Sequence, residues 1–148
     1  MEVMTTAENA PLDSRHVSIW IETSPAVAYE YVSDPANLTR WAAGLANGEV
    51  HRVGGDWVVS SPMGEVRVEF APKNTFGVAD HTVRLADGQA FYNPLRVVPD
   101  GNRGQWCEVI FTVRRMPGVN DGAFEADVAA VAADLDTLRE ILVNQRSR

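Results

Sequence analysis

Cysteine and histidine are scarce in this sequence, and long apolar runs are absent. Cys107 is the only cysteine among 148 residues, so no disulfide can form within the chain. Because it lies in an apolar strand pattern, we interpret it as a core residue. The three histidines, His16, His51 and His81, show neither i,i+4 nor strand-alternate spacing, so we predict no metal site.

Membrane and export signals are missing as well. No apolar stretch approaches the roughly 20 residues that a helix needs to span a bilayer. The N-terminal segment "MEVMTTAENAPLDSR" lacks the cationic start and apolar run of a signal peptide. We therefore expect a cytoplasmic protein.

An excess of acidic residues excludes another class of partner. Twenty acidic against 13 basic side chains give a net charge of −7, which repels a phosphate backbone, so nucleic-acid binding is not expected. The sequence contains no glycine-rich phosphate loop, no G-x-S-x-G and no C-x-x-C. We accordingly predict no cofactor, and no motif assigns a reaction.

The N-terminal third reads as a strand followed by two short helices. We predict a disordered tail over residues 1–15 and a single domain over residues 16–146. "HVSIWIE" alternates as a strand does. Ser24 before a proline predicts the start of a helix, and Asp34 before a proline predicts the start of a second one, which Gly44 would close.

The remaining sequence predicts an antiparallel sheet and a long helix. Short strands separated by turn residues leave no room for crossover helices. Asp121 is expected to cap a helix ending near Asn144, whose apolar stripe must lie on the sheet. This order predicts an α+β domain, a seven-stranded antiparallel sheet curled around the C-terminal helix. The six strands after the first are expected at Glu49–Val53, Trp57–Ser61, Glu65–Phe70, Val78–Leu85, Ala90–Val98 and Gln105–Arg114; the stripe comprises Phe124, Val128, Val131, Leu135, Leu138 and Leu142.

Three segments resemble a known superfamily. They are "HVSIWIETSPAVAYEYVSDPANLTRWAAGL", "DHTVRLADGQAFYNPLRVVPDG" and "FTVRRMPGVNDGAFEADVAAVAADLDTLREIL". Over about Val17 to Leu142 the chain is similar to the START-like, birch-pollen-allergen-like (SRPBCC) superfamily, in particular its bacterial polyketide cyclase/dehydrase and lipid-transport families. The resemblance implies a helix-grip fold with a cavity between sheet and helix for lipids, sterols, polyketides or other apolar molecules. It carries over no catalytic residue.

The Asp87–Gly88 turn suggests which side chains face that cavity. A two-residue hairpin turn would pair Ala86 with Gln89 and direct His81, Tyr92 and Arg96 inward, with Asp80 outward. The alternative is that these polar groups are satisfied within a filled core, or that Arg96 extends to solvent at the end of the sheet. A bulge at Pro94 would also turn Arg96 to the outer face.

These considerations give the predicted site and three hypotheses for function. The first is binding of a small hydrophobic or amphipathic ligand by a monomer or homodimer. The second is a cyclase/aromatase-like or hydrolase-like enzyme with His81 as general acid or base and Tyr92 or Arg96 polarising a carbonyl. The third is a protein–protein adaptor, which would need an exposed apolar patch. The predicted ligand-binding residues are Trp41, His81, Tyr92, Arg96, Phe111, Val128 and Leu135.

Overall fold

The computed structural model describes residues 11–43, 48–102 and 104–146. Residues 1–10 of the predicted tail over residues 1–15 lie outside these ranges, and so does the predicted helix end at Gly44. Strand β1 already begins at Ser14, two residues before the predicted domain start. The strands are β1 Ser14–Ile21, β2 Val50–Val53, β3 Asp56–Ser61, β4 Gly64–Phe70, β5 His81–Arg84, β6 Ala90–Asn93, β7 Leu95–Pro99 and β8 Cys107–Arg114; the helices are α1 Pro25–Val32, α2 Leu38–Trp41 and α3 Asp121–Arg146.

These strands form two sheets, and neighbouring strands within each sheet pair in the antiparallel direction. One sheet has the order β1-β8-β7, and the other has the order β2-β3-β4-β5-β6. The prediction of an antiparallel sheet is confirmed, but the count of seven strands is wrong, because the described residues form eight strands in two sheets. The predicted strand Ala90–Val98 is divided between β6 and β7.

Pro94 explains this division. It lies between β6 and β7 and has no N–H to donate to a ladder, so the strand is interrupted there. The pairing nevertheless resumes beyond it in the same register, since Val78 forms a bridge with Arg96 and the Ala79 N–H donates to the Leu95 carbonyl at 2.8 Å. No bulge is inserted, and side chains continue to alternate across the proline.

Local capping explains where the helices begin. The Ser24 side chain accepts a hydrogen bond from the Val27 N–H, and the Asp34 side chain accepts one from the Ala36 N–H at a short 3₁₀ turn that leads into α2. Both predicted helix starts are therefore confirmed. For α3 the cap is Asn120 rather than Asp121, because the Asn120 Oδ1 accepts from the Ala123 N–H at 2.8 Å.

The apolar stripe of α3 holds the helix on the sheet. Leu135, Leu138 and Leu142 are almost completely buried, and Phe124 is buried near the start of the helix. Each such leucine contributes roughly 1.5–3 kcal/mol of burial. Cys107, Val109 and Val113 of β8 are buried as well. The prediction that Cys107 is a core residue is therefore confirmed. Burial raises the pKa of the Cys107 thiol to about 11.

Candidate functional site

A pocket of about 500 Å³ lies between the inner face of the sheet and the first half of α3. Helix α2 contributes Trp41, strand β5 contributes His81, and α3 contributes Ala130 and Val131. Phe111 of β8 lines it as well. Aromatic and aliphatic groups thus form much of the wall, which is the usual character of a site for a small molecule.

His81 is a buried polar residue in this wall. Only 2% of its surface is exposed, and its ring stacks on Phe70 with ring centroids 4.8 Å apart. Phe111 meets the same ring edge-on at 5.9 Å. The Nδ1 atom lies 3.2 Å from the Ala79 carbonyl oxygen, and burial lowers the pKa of His81 below its ordinary value. The imidazole is therefore neutral at pH 7.

The hairpin between β5 and β6 differs from its predicted form. The Leu85 N–H donates to the Gln89 carbonyl at 2.8 Å, so the loop contains three residues rather than two, and Gly88 has a φ of 92° in it. Val83 consequently pairs with Phe91, and His81 pairs with Asn93. A change of one residue in the loop moves every side chain of the second strand to the other face.

This shift corrects the predicted polar cluster. Phe91 and Asn93 face the pocket beside His81, whereas Tyr92 and Arg96 direct their polar ends to the outer face. Tyr92 still borders the pocket, but Arg96 does not line it. The predicted separation of Asp80 from His81 is confirmed, since the two side chains lie on opposite faces.

Tyr92 and Arg96 bind Asp80, which is only 2% exposed. Arg96 Nε and Nη2 donate to the two carboxylate oxygens at 2.8 and 2.7 Å, and the Tyr92 hydroxyl donates at 2.5 Å. The Leu95 N–H adds a fourth hydrogen bond at 2.9 Å, beside the proline that cannot donate. Burial alone would raise the pKa of Asp80, but the hydrogen bonds from Arg96, Tyr92 and Leu95 outweigh it and hold the pKa at about 2.

Because the pKa of Asp80 falls from an ordinary 3.8 to about 2 on folding, its ionised form stabilises the native state. This contribution, about 2 kcal/mol, is complete above pH 4 and is lost as the pH falls through 2. We expect about 1 kcal/mol of it to be lost by pH 3. Urea unfolding of the wild type and Asp80→Asn between pH 7 and 3 measures it. The stability gap between the two proteins should narrow as the pH falls, and a constant gap would contradict the prediction.

Four of the seven predicted ligand-binding residues line or border the pocket: Trp41, His81, Tyr92 and Phe111. Leu135 is 1% exposed in the core beneath α3 and does not line the pocket, and neither does Val128. The helix turns about 100° per residue, so it is Asp127, Ala130, Val131 and Asp134 that face the pocket.

Sequence reasoning also missed several lining residues. Phe91 and Asn93 were missed because of the hairpin register, while Met116 and Val119 come from the segment between β8 and α3. A loop residue carries no periodic signal that would assign it to a pocket. Within residues 11–43, 48–102 and 104–146, the acidic, histidine and cysteine side chains form no group that could hold a metal ion.

The chain matches no protein-family model and no curated protein. Solved structures do resemble it. An uncharacterised protein from Bacillus thuringiensis has a TM-score of 0.68 and 13% identity, with 88% of this chain and 99% of that chain covered. A norcoclaurine synthase point mutant from Thalictrum flavum, in complex with a transition-state analogue, has a TM-score of 0.60 and 15% identity over 98% and 99% of the two chains.

A START superfamily protein from Mycobacterium smegmatis gives a TM-score of 0.60 at 9% identity, over 89% of this chain and 98% of that one. Sequence identities this low establish the fold and no activity. None of the helices in the described part of the chain is long and apolar enough to cross a membrane. The curved antiparallel sheet, the long C-terminal helix and these neighbours together show that the chain has a START/SRPBCC-like fold.

Proposed function

We propose that this protein binds a small hydrophobic or amphipathic molecule in the pocket between the sheet and α3. The observation that carries the proposal is the pocket of about 500 Å³ with an aromatic wall, a volume within the range of small-molecule sites. The similar norcoclaurine synthase structure contains a transition-state analogue, which supports the binding of a small molecule by a chain of this fold. That the protein is cytoplasmic, and that it is a monomer or a homodimer, remain predictions.

The enzyme hypothesis receives less support from the arrangement of the side chains. It requires Tyr92 or Arg96 to polarise a carbonyl next to His81, but both direct their polar groups to Asp80 on the opposite face. The Nδ1 atom of His81 contacts the backbone carbonyl of Ala79 rather than a carboxylate. We therefore favour binding over acid–base catalysis by these residues. The adaptor hypothesis stays a prediction.

Filling the pocket from α3 tests the proposal. Ala130 lines the pocket and Ala129, its neighbour on the helix, does not, although both are solvent-exposed positions. The neutral fluorophore N-phenyl-1-naphthylamine serves as the probe. We expect saturable binding at one site per chain, weakened at least tenfold by Ala130→Phe and unchanged by Ala129→Phe, because only the first ring occupies the pocket.

Fluorescence titration gives the dissociation constants, and thermal unfolding shows that both variants fold. Absence of saturable binding to the wild type would overturn the proposal. Equal affinities of the two variants would place the probe elsewhere and would overturn it as well.

A further inference from the structure

A second, smaller pocket lies against the inner face of the sheet, beside the pocket described above, which we call the main pocket. This side pocket has a volume of about 310 Å³, and Trp57, Val68 and Phe70 contribute apolar side chains to its wall. Trp57 pairs with Val68, and Phe70 pairs with His81 of the main pocket. Directly paired residues project their side chains from the same face of a sheet, so both pockets lie on the inner face.

The boundary between the two pockets follows the ladder of β4 and β5. His81 lines the main pocket, and its partner Phe70 lines the side pocket. In the same way, Val83 lines the main pocket, and its partner Val68 lines the side pocket. At both positions a single cross-strand pair of side chains therefore separates the two spaces.

The aromatic pair forms the larger part of this partition. The rings of Phe70 and His81 are stacked, with centroids 4.8 Å apart and ring planes 27° from parallel. His81 is almost completely buried, whereas Phe70 is only partly buried and borders the side pocket. Because the space behind the two rings is itself a pocket, removal of the rings would open the main pocket into the side pocket.

The lining of the main pocket changes from an exposed polar rim to a buried floor. Gln89, Arg114 and Asp127 are exposed polar residues of the lining. Leu38 and the ring of His81 lie at the floor, where they are almost completely buried. An amphipathic molecule gains most from such a pocket when its apolar end reaches the floor and its polar end stays hydrated at the rim.

We infer that the main pocket binds amphipathic molecules with an unbranched apolar tail, and that the ring pair of Phe70 and His81 sets the longest tail that it accepts. The tail enters first and stops at the His81 ring, while the polar end stays at the rim. Phe70 and His81 are thus specificity-determining residues for tail length. This inference rests on the proposed function, because it names the class of molecule that the same pocket binds.

Unbranched 1-alkanols from 1-butanol to 1-dodecanol test the inference at pH 7. Each further CH₂ group that the pocket buries should lower the dissociation constant about fourfold. We expect this decrease to continue until the tail reaches the His81 ring and then to level, because additional carbon atoms find no further apolar surface. Isothermal titration calorimetry measures the dissociation constants.

Two variants and a matched control test the role of the rings. His81→Ala removes part of the floor, so the levelling point should move to a longer alkanol. His81→Ala combined with Phe70→Ala joins the two pockets, so the levelling point should move further or beyond 1-dodecanol. Alkanols too short to reach the floor should bind as they do to the wild type. Trp57→Ala is the control, because it enlarges the side pocket behind an intact ring pair and should leave the levelling point unchanged.

Thermal unfolding shows whether the variants fold. If they do not, NMR of the wild type decides. The His81 ring resonances should shift with alkanols at or beyond the levelling point and stay unchanged with shorter ones.

A dissociation constant of the wild type that decreases steadily through 1-dodecanol would overturn the inference. The same levelling point in the wild type and in both ring variants would overturn it too, as would equal shifts of the His81 resonances with every alkanol. If N-phenyl-1-naphthylamine still binds at one site that Ala130→Phe blocks, such results leave the proposed function intact. If neither that probe nor any alkanol binds, the proposed function itself is wrong, and the inference fails with it.

Discussion

Replacement of Asp80 by alanine should destabilise the protein by about 3 kcal/mol or more, although Asp80 lies on the face opposite the pocket. The variant leaves the Leu95 N–H without its acceptor and removes the bidentate partner of Arg96. Removing one partner of a buried ion pair costs about 3–5 kcal/mol. The Arg96 side chain is 49% exposed and can reach water, so the lower end of this range applies.

An exposed ion pair of similar length provides the matched control. Asp56 binds Arg67 at 2.8 Å, but their side chains are 63% and 51% exposed. Asp56→Ala should therefore cost less than about 1 kcal/mol. Urea unfolding at pH 7 compares both variants with the wild type. If Asp80→Ala costs no more than Asp56→Ala, the Asp80 cluster, which comprises Asp80, Tyr92, Leu95 and Arg96, does not hold the β6–β7 break together.

The Asp80 cluster also limits what the sequence could predict. Strand alternation correctly separated Asp80 from His81, because that rule concerns neighbours within one strand. Placing Tyr92 and Arg96 required the loop length of a hairpin, and Asp87–Gly88 is compatible with two-residue and three-residue loops. A single residue of difference reversed the face of the entire second strand. The pairing of Arg96 with Asp80 therefore depends on the tertiary structure, and the sequence around neither residue indicates it.

Other parts of the fold could be predicted because their signals are local and repeated. Ser24 and Asp34 lie before prolines and begin helices, and the leucines of α3 recur at helical spacing over several turns. The pocket offered fewer signals. It combines side chains from α2, β5, β6, β8, α3 and a loop, so which of them converge depends on how the helix lies on the sheet.

Gly77, in the segment that leads into Asp80, is a position that cannot accommodate an added methyl group without a shift of the backbone. Gly77 has a φ of 75°, and its carbonyl accepts from the Val97 N–H at 2.8 Å. A Cβ atom at this residue would lie 2.1 Å from the Val97 carbonyl oxygen, which belongs to the backbone and cannot rotate away. Close approach of two backbone segments thus requires glycine here.

We expect Gly77→Ala to cost at least about 3 kcal/mol, from the strain of a positive φ and from the clash with β7. Gly118→Ala separates the two causes, since Gly118 has a φ of 86° but no atom within 4 Å of an added Cβ. That variant should cost about 1–2 kcal/mol, which is the strain alone. Urea unfolding at pH 7 gives both free energies. Equal losses would mean that the loop moves to relieve the clash, in which case the contact between Gly77 and Val97 does not fix the approach of this segment to β7.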